Sequence, residues 1–374
     1  MPLADPILIQ VVPRLQPGRC GISDHALALA DELETGFGVT SAFAVLNSQE
    51  ACDLRFPITY CQTSQLWEAC KNLSDGTQAA LLVHYSGYGY SADGAPLALA
   101  DALKRVHESQ QIRVGVYFHE LFASSMPWRS GFWYRSRQQH VVRSIVKACD
   151  FMATNLERHC NWIERKAAGE MNTPLLHLPV FSNVGEALER RAMNGRRPAL
   201  IVFGLAGTRQ KSYAKIASLG SMLRVLRVRE ILDIGPESAA PPKLNGLPVR
   251  HMGVLSTTDL SGVLSESMFG FVPHPWFCLA KSGIFAGICA HGTIPVLGES
   301  FSAESDGLKD GVHLFSPKTT RGATVADLEQ LSAAGWHWYM GHRLQAHAET
   351  YARLLVQAPA EGTALPAAGS RSDR

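Results

Sequence analysis

The stretch CLAKSGIFAGICAHGTIPVLGE, residues 278–299, predicts a short helix that leads into a buried strand. Apolar residues recur at the spacing of one helix face: Ile284, Phe285, Ile288 and Cys289. Gly292 can end this helix, and TIPVLG, residues 293–298, is a continuous apolar run of strand length. A helix followed by a fully apolar strand is typical of α/β proteins, in which helices cover a parallel sheet.

The same alternation runs through the first half of the chain. Five apolar runs predict strands: ILIQVV (7–12), AALLVHY (79–85), RVGVYFH (113–119), FMATN (151–155) and LLHLPV (175–180). The segments between them predict helices at 24–35, 96–109, 136–149 and 155–167. Continuous apolar strands separated by helices indicate a parallel sheet with both faces covered.

A second series of strands and helices follows in the second half of the chain. Its predicted strands are ALIVFG (199–204), EILDIG (230–235), VRHMG (249–253), MFGFVP (268–273) and TIPVLG (293–298). Its predicted helices are 212–226, 258–266, the helix of the opening stretch, and a long final helix over 336–357. Two successive doubly wound α/β domains are therefore predicted, with ligands beyond the carboxyl ends of the strands.

The segment between the two series is polar, charged and rich in turn-forming residues, as an interdomain linker would be. The predicted organisation is an N-terminal domain over 1–180, a linker over 181–197, a C-terminal domain over 198–335, a final helix over 336–357 and a disordered tail over 358–374. The tail is small and polar, which argues against a packed structure there.

Composition excludes several classes of protein. The chain has 374 residues, 46% of them hydrophobic and 18% charged, with a net charge of +2, so bulk attraction to nucleic acid or to an anionic membrane is not expected. There is no apolar run of about 18 residues and no basic segment preceding a hydrophobic core at the N-terminus. The eight cysteines show no C-x-x-C and no paired Cys/His spacing. This pattern predicts reduced thiols in the cytoplasm, and no metal site.

A glycine-containing loop, PGRCGISDHA (17–26), connects the first strand to the first helix. Gly18 and Gly21 loosen the loop and Ser23 can cap the helix, so that bare N–H groups could meet an anion. The alternative is an ordinary strand–loop–helix turn. The loop is not the dinucleotide fingerprint, because G-x-G-x-x-G is absent.

Two further loops follow predicted strand ends. In HYSGYGYSADGAPL (84–97), Gly87 is interleaved with tyrosines, which can stack on sugars or bases; a flexible loop is the alternative. In YFHELF (117–122), His119 lies where a buried strand ends, and it could orient a substrate hydroxyl or stabilise positive charge near a reacting carbon. The alternative for His119 is a structural histidine paired with Glu120 or with a backbone carbonyl.

The cations of the second half predict an anion site. Arg209 and Lys211 follow the first strand of the C-terminal domain, where fixed charge and helix N–H groups can hold a phosphate. Lys281 precedes Ser282, a natural N-cap, and Gly283. There is no Asp or Glu between Glu266 and Glu299, so Lys281 is expected to meet a bound anion at the start of the helix.

Taken together, these motifs resemble the nucleotide-sugar glycosyltransferases of the two-Rossmann, or GT-B, fold, and more specifically a retaining family whose bacterial members build cell-surface polysaccharides. The resemblance covers residues 7–355. PGRCGISDHA is similar to the family's P-x-G-G-V-G-D-Y-A loop, His119 to its strand-end histidine, Arg209 and Lys211 to its diphosphate-binding pair, and AHGTIPV (290–296) to its A-x-G-x-P-V segment. The sequence departs from the family at Ser23 and at its Glu-x7-Glu pair, whose positions fall near 279–280 and 287–288.

The resemblance implies two domains facing across a cleft, and transfer of a sugar from a nucleoside-diphosphate donor to an acceptor hydroxyl with retention. His119 would face the sugar, and Arg209, Lys211, Lys281, Ser282 and Gly283 would hold the diphosphate. Gly18, Gly21, Ser23 and Gly87 would contact the acceptor or the phosphates. No metal or other cofactor is expected, and the partners are the donor and a glycan or lipid-linked acceptor, with no nucleic acid. Peripheral membrane contact stays open, as do a sugar-nucleotide epimerase and a non-catalytic glycan- or nucleotide-binding relative.

Overall fold

In a computed structural model, the protein forms two α/β units, each built on one sheet. The structure describes residues 6–18, 20–48, 53–123, 130–168, 173–237, 240–300, 303–320 and 322–356. The predicted tail, 358–374, lies outside the described residues.

The first sheet has seven parallel strands in the order β3-β2-β1-β4-β5-β6-β7. They are β1 (Ile7–Val12), β2 (Thr40–Val45), β3 (Ile58–Tyr60), β4 (Ala79–Tyr85), β5 (Arg113–Phe118), β6 (Phe151–Thr154) and β7 (Leu175–His177). Its helices are α1 (Gly21–Phe37), α2 (Leu66–Ser74), α3 (Gly87–Tyr90), α4 (Leu97–Glu108), α5 (Ser130–Val146) and α6 (Glu157–Ile163). The order reverses between β1 and β4, and such a point opens a crevice at the carboxyl ends of the strands.

The second sheet has six strands in the order β10-β11-β9-β8-β12-β13, parallel except for the edge pair β10–β11. They are β8 (Arg197–Phe203), β9 (Glu230–Ile234), β10 (Lys243–Leu244), β11 (Leu247–Gly253), β12 (Ser267–Val272) and β13 (Ile294–Leu297). The helices are α7 (Ala206–Ile216), α8 (Gly220–Val225), α9 (Thr257–Glu266), α10 (Gly283–Cys289), α11 (Val325–Met340) and α12 (Leu344–Val356).

The prediction of two doubly wound α/β units is confirmed, and each predicted strand is present with its ends shifted by a few residues at most. Sequence analysis missed β2, β3 and α2. The strand β2, TSAFAV, mixes small and polar residues, and β3 has only three half-buried residues, so neither shows a clear apolar run. The helix predicted at 212–226 is in fact α7 and α8, joined by a turn of 3-10 helix.

The single final helix predicted over 336–357 is wrong, because Gly341 and the two residues after it separate α11 from α12. Helix α12 returns to the N-terminal unit and packs along α1. Ala348, Tyr351 and Leu355 of α12 are buried in the same apolar cluster as Leu8, Leu29 and Phe151. The last helix that the structure describes therefore joins the two units. Among the described residues, the helices are all too short or too polar to cross a bilayer.

Candidate active site

A cleft of about 300 Å³ lies between the two units, at the carboxyl ends of the first sheet's strands. Its N-terminal wall comes from the residues that follow four neighbouring strands: Cys20 to Ile22 after β1, Ser86 after β4, His119 and Glu120 after β5, and Asn155 after β6. Its opposite wall includes Lys281 and Gly283, and the connecting segment contributes Val180, Phe181 and Asn183. The cleft thus lies at the edge of the sheet where the sequence predicts ligands.

His119 is held from three directions. Its backbone N–H donates to the Tyr85 carbonyl at 2.9 Å, and its carbonyl accepts from the Asn155 side-chain amide at 3.1 Å. Its Nε2 atom is 3.2 Å from Nδ1 of His84, whose Nε2 atom is 2.8 Å from Oε1 of Gln10. Within the described ranges the imidazole bonds neither Glu120 nor a backbone carbonyl, so the structural pairings considered from the sequence are not those observed.

This network sets the tautomers of both rings. The Gln10 amide nitrogen donates to the Ser41 hydroxyl, so the Gln10 amide oxygen accepts a hydrogen bond from the N–H at His84 Nε2. Nδ1 of His84 is then an acceptor, and His119 must carry its proton on Nε2. Burial, the neighbouring His84 and the charge of Lys281 together hold the pKa of His119 well below its usual value. A neutral ring with an unprotonated Nδ1 atom results.

His25 lies in the first turns of α1 and is 5% exposed. Its ring stacks on Phe181 and Tyr117, with centroids 4.1 and 5.0 Å apart. Nε2 of His25 is buried and has no hydrogen-bond partner among the residues that the structure describes. Burial and three neighbouring histidines hold its pKa well below the usual value, so the ring is neutral. A buried, unpaired imidazole nitrogen is costly unless a ligand meets it.

Asn155 presents a second unpaired atom at the same cleft. The residue is 1% exposed and its Oδ1 atom has no hydrogen-bond partner, although its amide nitrogen is held by the His119 carbonyl. An amide oxygen in this position can accept a hydrogen bond from a ligand hydroxyl. His25 and Asn155 together give the cleft polar atoms that the protein does not itself satisfy.

Lys281 faces the cleft but has a protein partner. Its ammonium nitrogen is 2.5 Å from Oε1 of Glu120, on the opposite wall. The expectation that Lys281 lacks an acidic partner is therefore wrong, because the carboxylate comes from a residue 161 positions earlier in the chain. Both side chains are partly exposed, 29% for Lys281 and 49% for Glu120. Such a pair contributes little to stability and can exchange with a bound anion.

Lys211 and Lys215 do not line the cleft, but they act on the same imidazole as Lys281. Burial and the charges of Lys281, Lys215 and Lys211 lower the pKa of His274, so these three cations lie within electrostatic reach of one imidazole. Lys215 donates to the Pro273 carbonyl at 3.0 Å and is 3.5 Å from Glu299. Within the described part of the chain, no carboxylate pairs with Lys211, which is exposed. On the C-terminal side, therefore, Lys281 lines the cleft itself and is paired with Glu120, while Lys211 and Lys215 lie outside the cleft lining.

Ser282 and Gly283 begin α10. The Ser282 hydroxyl accepts from the Phe285 N–H at 3.2 Å, which confirms the predicted N-cap, and it also bonds Nδ1 of His274 at 2.8 Å. The space in front of Gly283 is narrow, because an added Cβ would lie 3.1 Å from Oδ1 of Asn183.

Arg209 has a different role from the predicted one. The residue is 1% exposed, and its guanidinium donates to both carboxylate oxygens of Asp233 at 2.6 and 2.7 Å. The remaining donors bond the carbonyls of Gly204, Pro236 and Glu237. All five N–H donors of the side chain are thus used inside the protein. In this arrangement Arg209 has no N–H donor left for a diphosphate. Its predicted role in binding the diphosphate is therefore replaced by that of a buried structural residue.

The predicted loop residues also differ in whether they line the cleft. Gly21 lines the cleft at the start of α1, where the helix presents unpaired N–H groups. Ser23 does not cap the helix; it accepts from the Gln16 N–H and donates to the Arg14 carbonyl, and so fixes the loop. Gly18 has a φ of +70° and donates to Asp24.

Gly87 has a packing reason to be glycine, because a Cβ there would lie 2.3 Å from the carbonyl oxygen of Gly94. The residue that reaches the cleft from this loop is its neighbour Ser86. Contact of these loops with an acceptor or with phosphates stays a prediction.

Sequence analysis missed several residues at the site: Gln10, His25, His84, Asn155 and Lys215. Two of them carried a signal, since Gln10 and His84 are polar residues inside otherwise apolar strands and are fully buried. A buried polar group of this kind is expected to have a specific partner. Among the described residues, one group could hold a metal ion, namely His25, His84 and His119.

Comparison with solved structures identifies the fold. The chain is similar to an alpha-glucosyltransferase solved with UDP-glucose and DNA containing an abasic site (13% identity, TM-score 0.56, covering 94% of this chain and 99% of that one). It is also similar to sucrose-phosphate synthase from Thermosynechococcus elongatus (13%, 0.56, 94% and 98%) and to an alpha,alpha-trehalose-phosphate synthase (UDP-forming) from Burkholderia vietnamiensis (13%, 0.56, 94% and 97%). No protein-family model and no curated protein sequence matches the chain. The two α/β units therefore form the two-Rossmann, GT-B fold.

Proposed function

We propose that this protein is a glycosyltransferase that moves a sugar from a nucleoside-diphosphate donor to an acceptor hydroxyl. The observation that carries the proposal is the asymmetry of the interdomain cleft: Lys281 lines its C-terminal wall, and Lys211 and Lys215 are near enough to lower the pKa of His274. On its N-terminal wall, buried neutral polar atoms have no partner among the described residues. The solved structures that share the fold include enzymes whose names describe transfer from UDP-sugars, which supports the same reaction class here.

The charges of the C-terminal wall suit a diphosphate leaving group. As the glycosidic C–O bond lengthens, negative charge collects on the diphosphate and positive charge on the sugar ring. The negative charge on the diphosphate would be stabilised by Lys211, Lys215 and Lys281. These lysines would act most strongly in the transition state, where that charge is greatest. Lys281 would exchange Glu120 for a phosphate oxygen as the donor binds. Ser282 and Gly283 would add a helix start to the same wall.

The N-terminal wall suits the sugar. His119 is fixed as a neutral ring by His84, so its Nδ1 atom can accept a hydrogen bond from a sugar hydroxyl without adding positive charge next to the developing cation. The unpaired oxygen of Asn155 can accept from a second hydroxyl. Gly21 leaves the N–H groups at the start of α1 open to the acceptor or to the phosphates.

The finer points of the proposal follow from the resemblance. Transfer would proceed with retention, in the cytoplasm, for the synthesis of cell-surface polysaccharide, and with a glycan or lipid-linked acceptor. The lysines would replace a divalent metal at the diphosphate. The net charge of +2 argues against a nucleic-acid acceptor.

One experiment tests the proposal. The purified chain is screened by thermal shift against UDP, GDP and ADP and their sugars, and the sugar that stabilises it is then incubated with glycan, lipid-linked and DNA acceptors. A ligand of the native state raises the melting temperature. Product with the donor's anomeric configuration, measured by NMR, supports retaining transfer.

Other outcomes contradict the proposal. Free epimerised sugar and nucleotide without an acceptor would indicate an epimerase, and binding without turnover would indicate a non-catalytic protein. A DNA product would overturn the acceptor class.

Substitution of the cations provides the residue-level test. Lys281→Ala and Lys211→Ala should each lower turnover about a hundredfold, on the order of one preorganised charge contact. Lys243→Ala removes an exposed lysine of the same unit on the edge strand β10 and should leave turnover unchanged. Equal rates for all three variants would show that the lysines do not bind the diphosphate.

A further inference from the structure

Three histidines lie close together at the N-terminal wall: His25 and His119 line the cleft, and the fully buried His84 contacts His119. One ring nitrogen from each of His25, His84 and His119 lies within 4.8 Å of those of the other two. They come from separate elements: His25 from α1, His84 from β4 and His119 from the residue after β5. Nothing in the sequence spacing brings them together, since 59 and 35 positions separate them along the chain.

The spacing of the rings fits a shared metal ion. Imidazoles bound to one zinc ion at about 2.0–2.1 Å have their centroids about 3.2 Å from the metal, and therefore about 5.2 Å apart at the tetrahedral angle. The observed centroid distances are 5.1 Å for His25–His119, 5.5 Å for His84–His119 and 5.6 Å for His25–His84. Nδ1 of His84 and Nε2 of His119 are 3.2 Å apart, against about 3.3 Å for two nitrogens on a tetrahedral zinc.

The surroundings also suit a metal. His84 donates its other ring N–H to the Gln10 oxygen, which is the outer contact that orients a metal-binding histidine. The unpaired, buried Nε2 atom of His25 is a second and independent sign of a missing ligand. His25 and His119 both line the cleft, so an ion among the three rings would keep an open position on that side.

We propose that His25, His84 and His119 bind one divalent transition-metal ion, of the class that imidazole prefers, with an open coordination position facing the cleft. In the free protein, His119 Nε2 carries the proton that it donates to His84. On binding, that proton moves to Nδ1 of the same ring, Nε2 coordinates the metal, and the ring stays neutral. Coordination and the sugar contact proposed above use the same imidazole. Because the metal uses Nε2 and the sugar contact uses Nδ1, metal binding would change Nδ1 from an acceptor into a donor towards the sugar hydroxyl, and it would not assist at the diphosphate.

The test measures metal binding and does not need the proposed transfer reaction. The chelator-treated, full-length protein is titrated with Zn²⁺ and Co²⁺ by calorimetry and visible absorption. We expect one ion per chain, a four-coordinate Co²⁺ spectrum and a raised melting temperature. X-ray absorption of the zinc form should show three imidazole nitrogens.

Matched variants separate this site from adventitious binding. His25→Phe removes a ligand and keeps an aromatic ring between Phe181 and Tyr117, and it should weaken binding at least about a hundredfold. Gln10→Leu removes the outer contact and should weaken it about 10–100-fold. His140→Ala and His337→Ala remove exposed histidines and should change nothing.

Three results would overturn the proposal. They are wild-type protein that binds no stoichiometric metal, a folded His25→Phe variant with unchanged affinity, and a zinc spectrum without three imidazoles. Any of these would leave the cluster as a hydrogen-bonded relay that positions His119. If His25→Phe and Gln10→Leu both fail to fold, the X-ray absorption spectrum of the wild-type protein still decides whether the three histidines bind the metal.

Discussion

The two walls of the cleft differ in how they treat charge. The N-terminal wall is built on buried, neutral imidazoles whose pKa values are lowered, and its cleft-facing polar atoms include two without partners. The C-terminal wall carries lysines, two of them paired with carboxylates that are themselves partly exposed. Arg209, the most deeply buried cation of that unit, is instead neutralised by Asp233. The difference teaches that a cation's position in the sequence does not show whether it is available to a ligand.

The largest expected effect concerns the buried pair behind the C-terminal wall. Arg209→Leu should lower the free energy of unfolding by about 3–5 kcal/mol, because the buried carboxylate of Asp233 would lose its arginine and keep only weaker contacts such as those with Tyr213 and His251. Chemical denaturation measures this change. Arg224→Leu, an exposed arginine of the same unit, should lower it by less than about 0.5 kcal/mol. A stable Arg209→Leu protein that has lost only nucleotide binding would restore Arg209 to the diphosphate site.

The next effect tests the neutral wall. His119→Ala should lower turnover by roughly 10²–10⁴-fold, because a positioned hydrogen-bonding group near the reacting carbon is lost. Nucleotide affinity should change little, since the diphosphate is bound on the other wall. Steady-state kinetics measures the turnover, and calorimetry with the nucleotide measures the affinity. A large loss of nucleotide affinity would place His119 at the diphosphate instead.

The third effect is a dependence of stability on pH. Burial lowers the pKa of His84 to about 3 and that of His347 to about 4, from an ordinary value of 6.5. Below pH 6.5 the unfolded chain binds protons that the folded protein excludes, so stability falls as the pH drops from 6.5 towards 4. Each histidine contributes up to about 1.4 kcal/mol per pH unit. Urea denaturation at pH 7, 6 and 5 measures the slope, and equal stability at all three values would contradict the buried, neutral cluster.

The smallest effect concerns the contact between the walls. Glu120→Gln removes the carboxylate that competes with a phosphate for Lys281, and it should tighten nucleotide binding by a few-fold, since exposed ion pairs are worth less than about 1 kcal/mol. Glu108→Gln, which changes an exposed pair on α4, is the control. Weaker binding by Glu120→Gln would mean that the pair holds the cleft in its binding form.

The strands and most of the helices were predictable because continuous apolar runs and helix-period segments record burial directly in the sequence. For the candidate site, the sequence predicted only a location, at residues that follow strand ends, such as His119. The hydrogen-bond and ion-pair partners of these residues were not predictable. His84 and Gln10 lie in strands that are adjacent in the sheet but 74 positions apart in the chain, and Glu120 reaches Lys281 from the other unit. Pairings of this kind depend on strand order and domain packing, which local patterns do not contain.

By itself, the sequence determined that the protein has two α/β units in succession, because each unit's apolar strands must be buried beneath helices. It also determined that chemistry-bearing side chains follow the strand ends. Only the tertiary structure decided which charges are neutralised within the protein and which face the cleft. The physical reason is that electrostatic and hydrogen-bond energies depend on distance and burial in space, and the fold brings together groups that the chain keeps far apart.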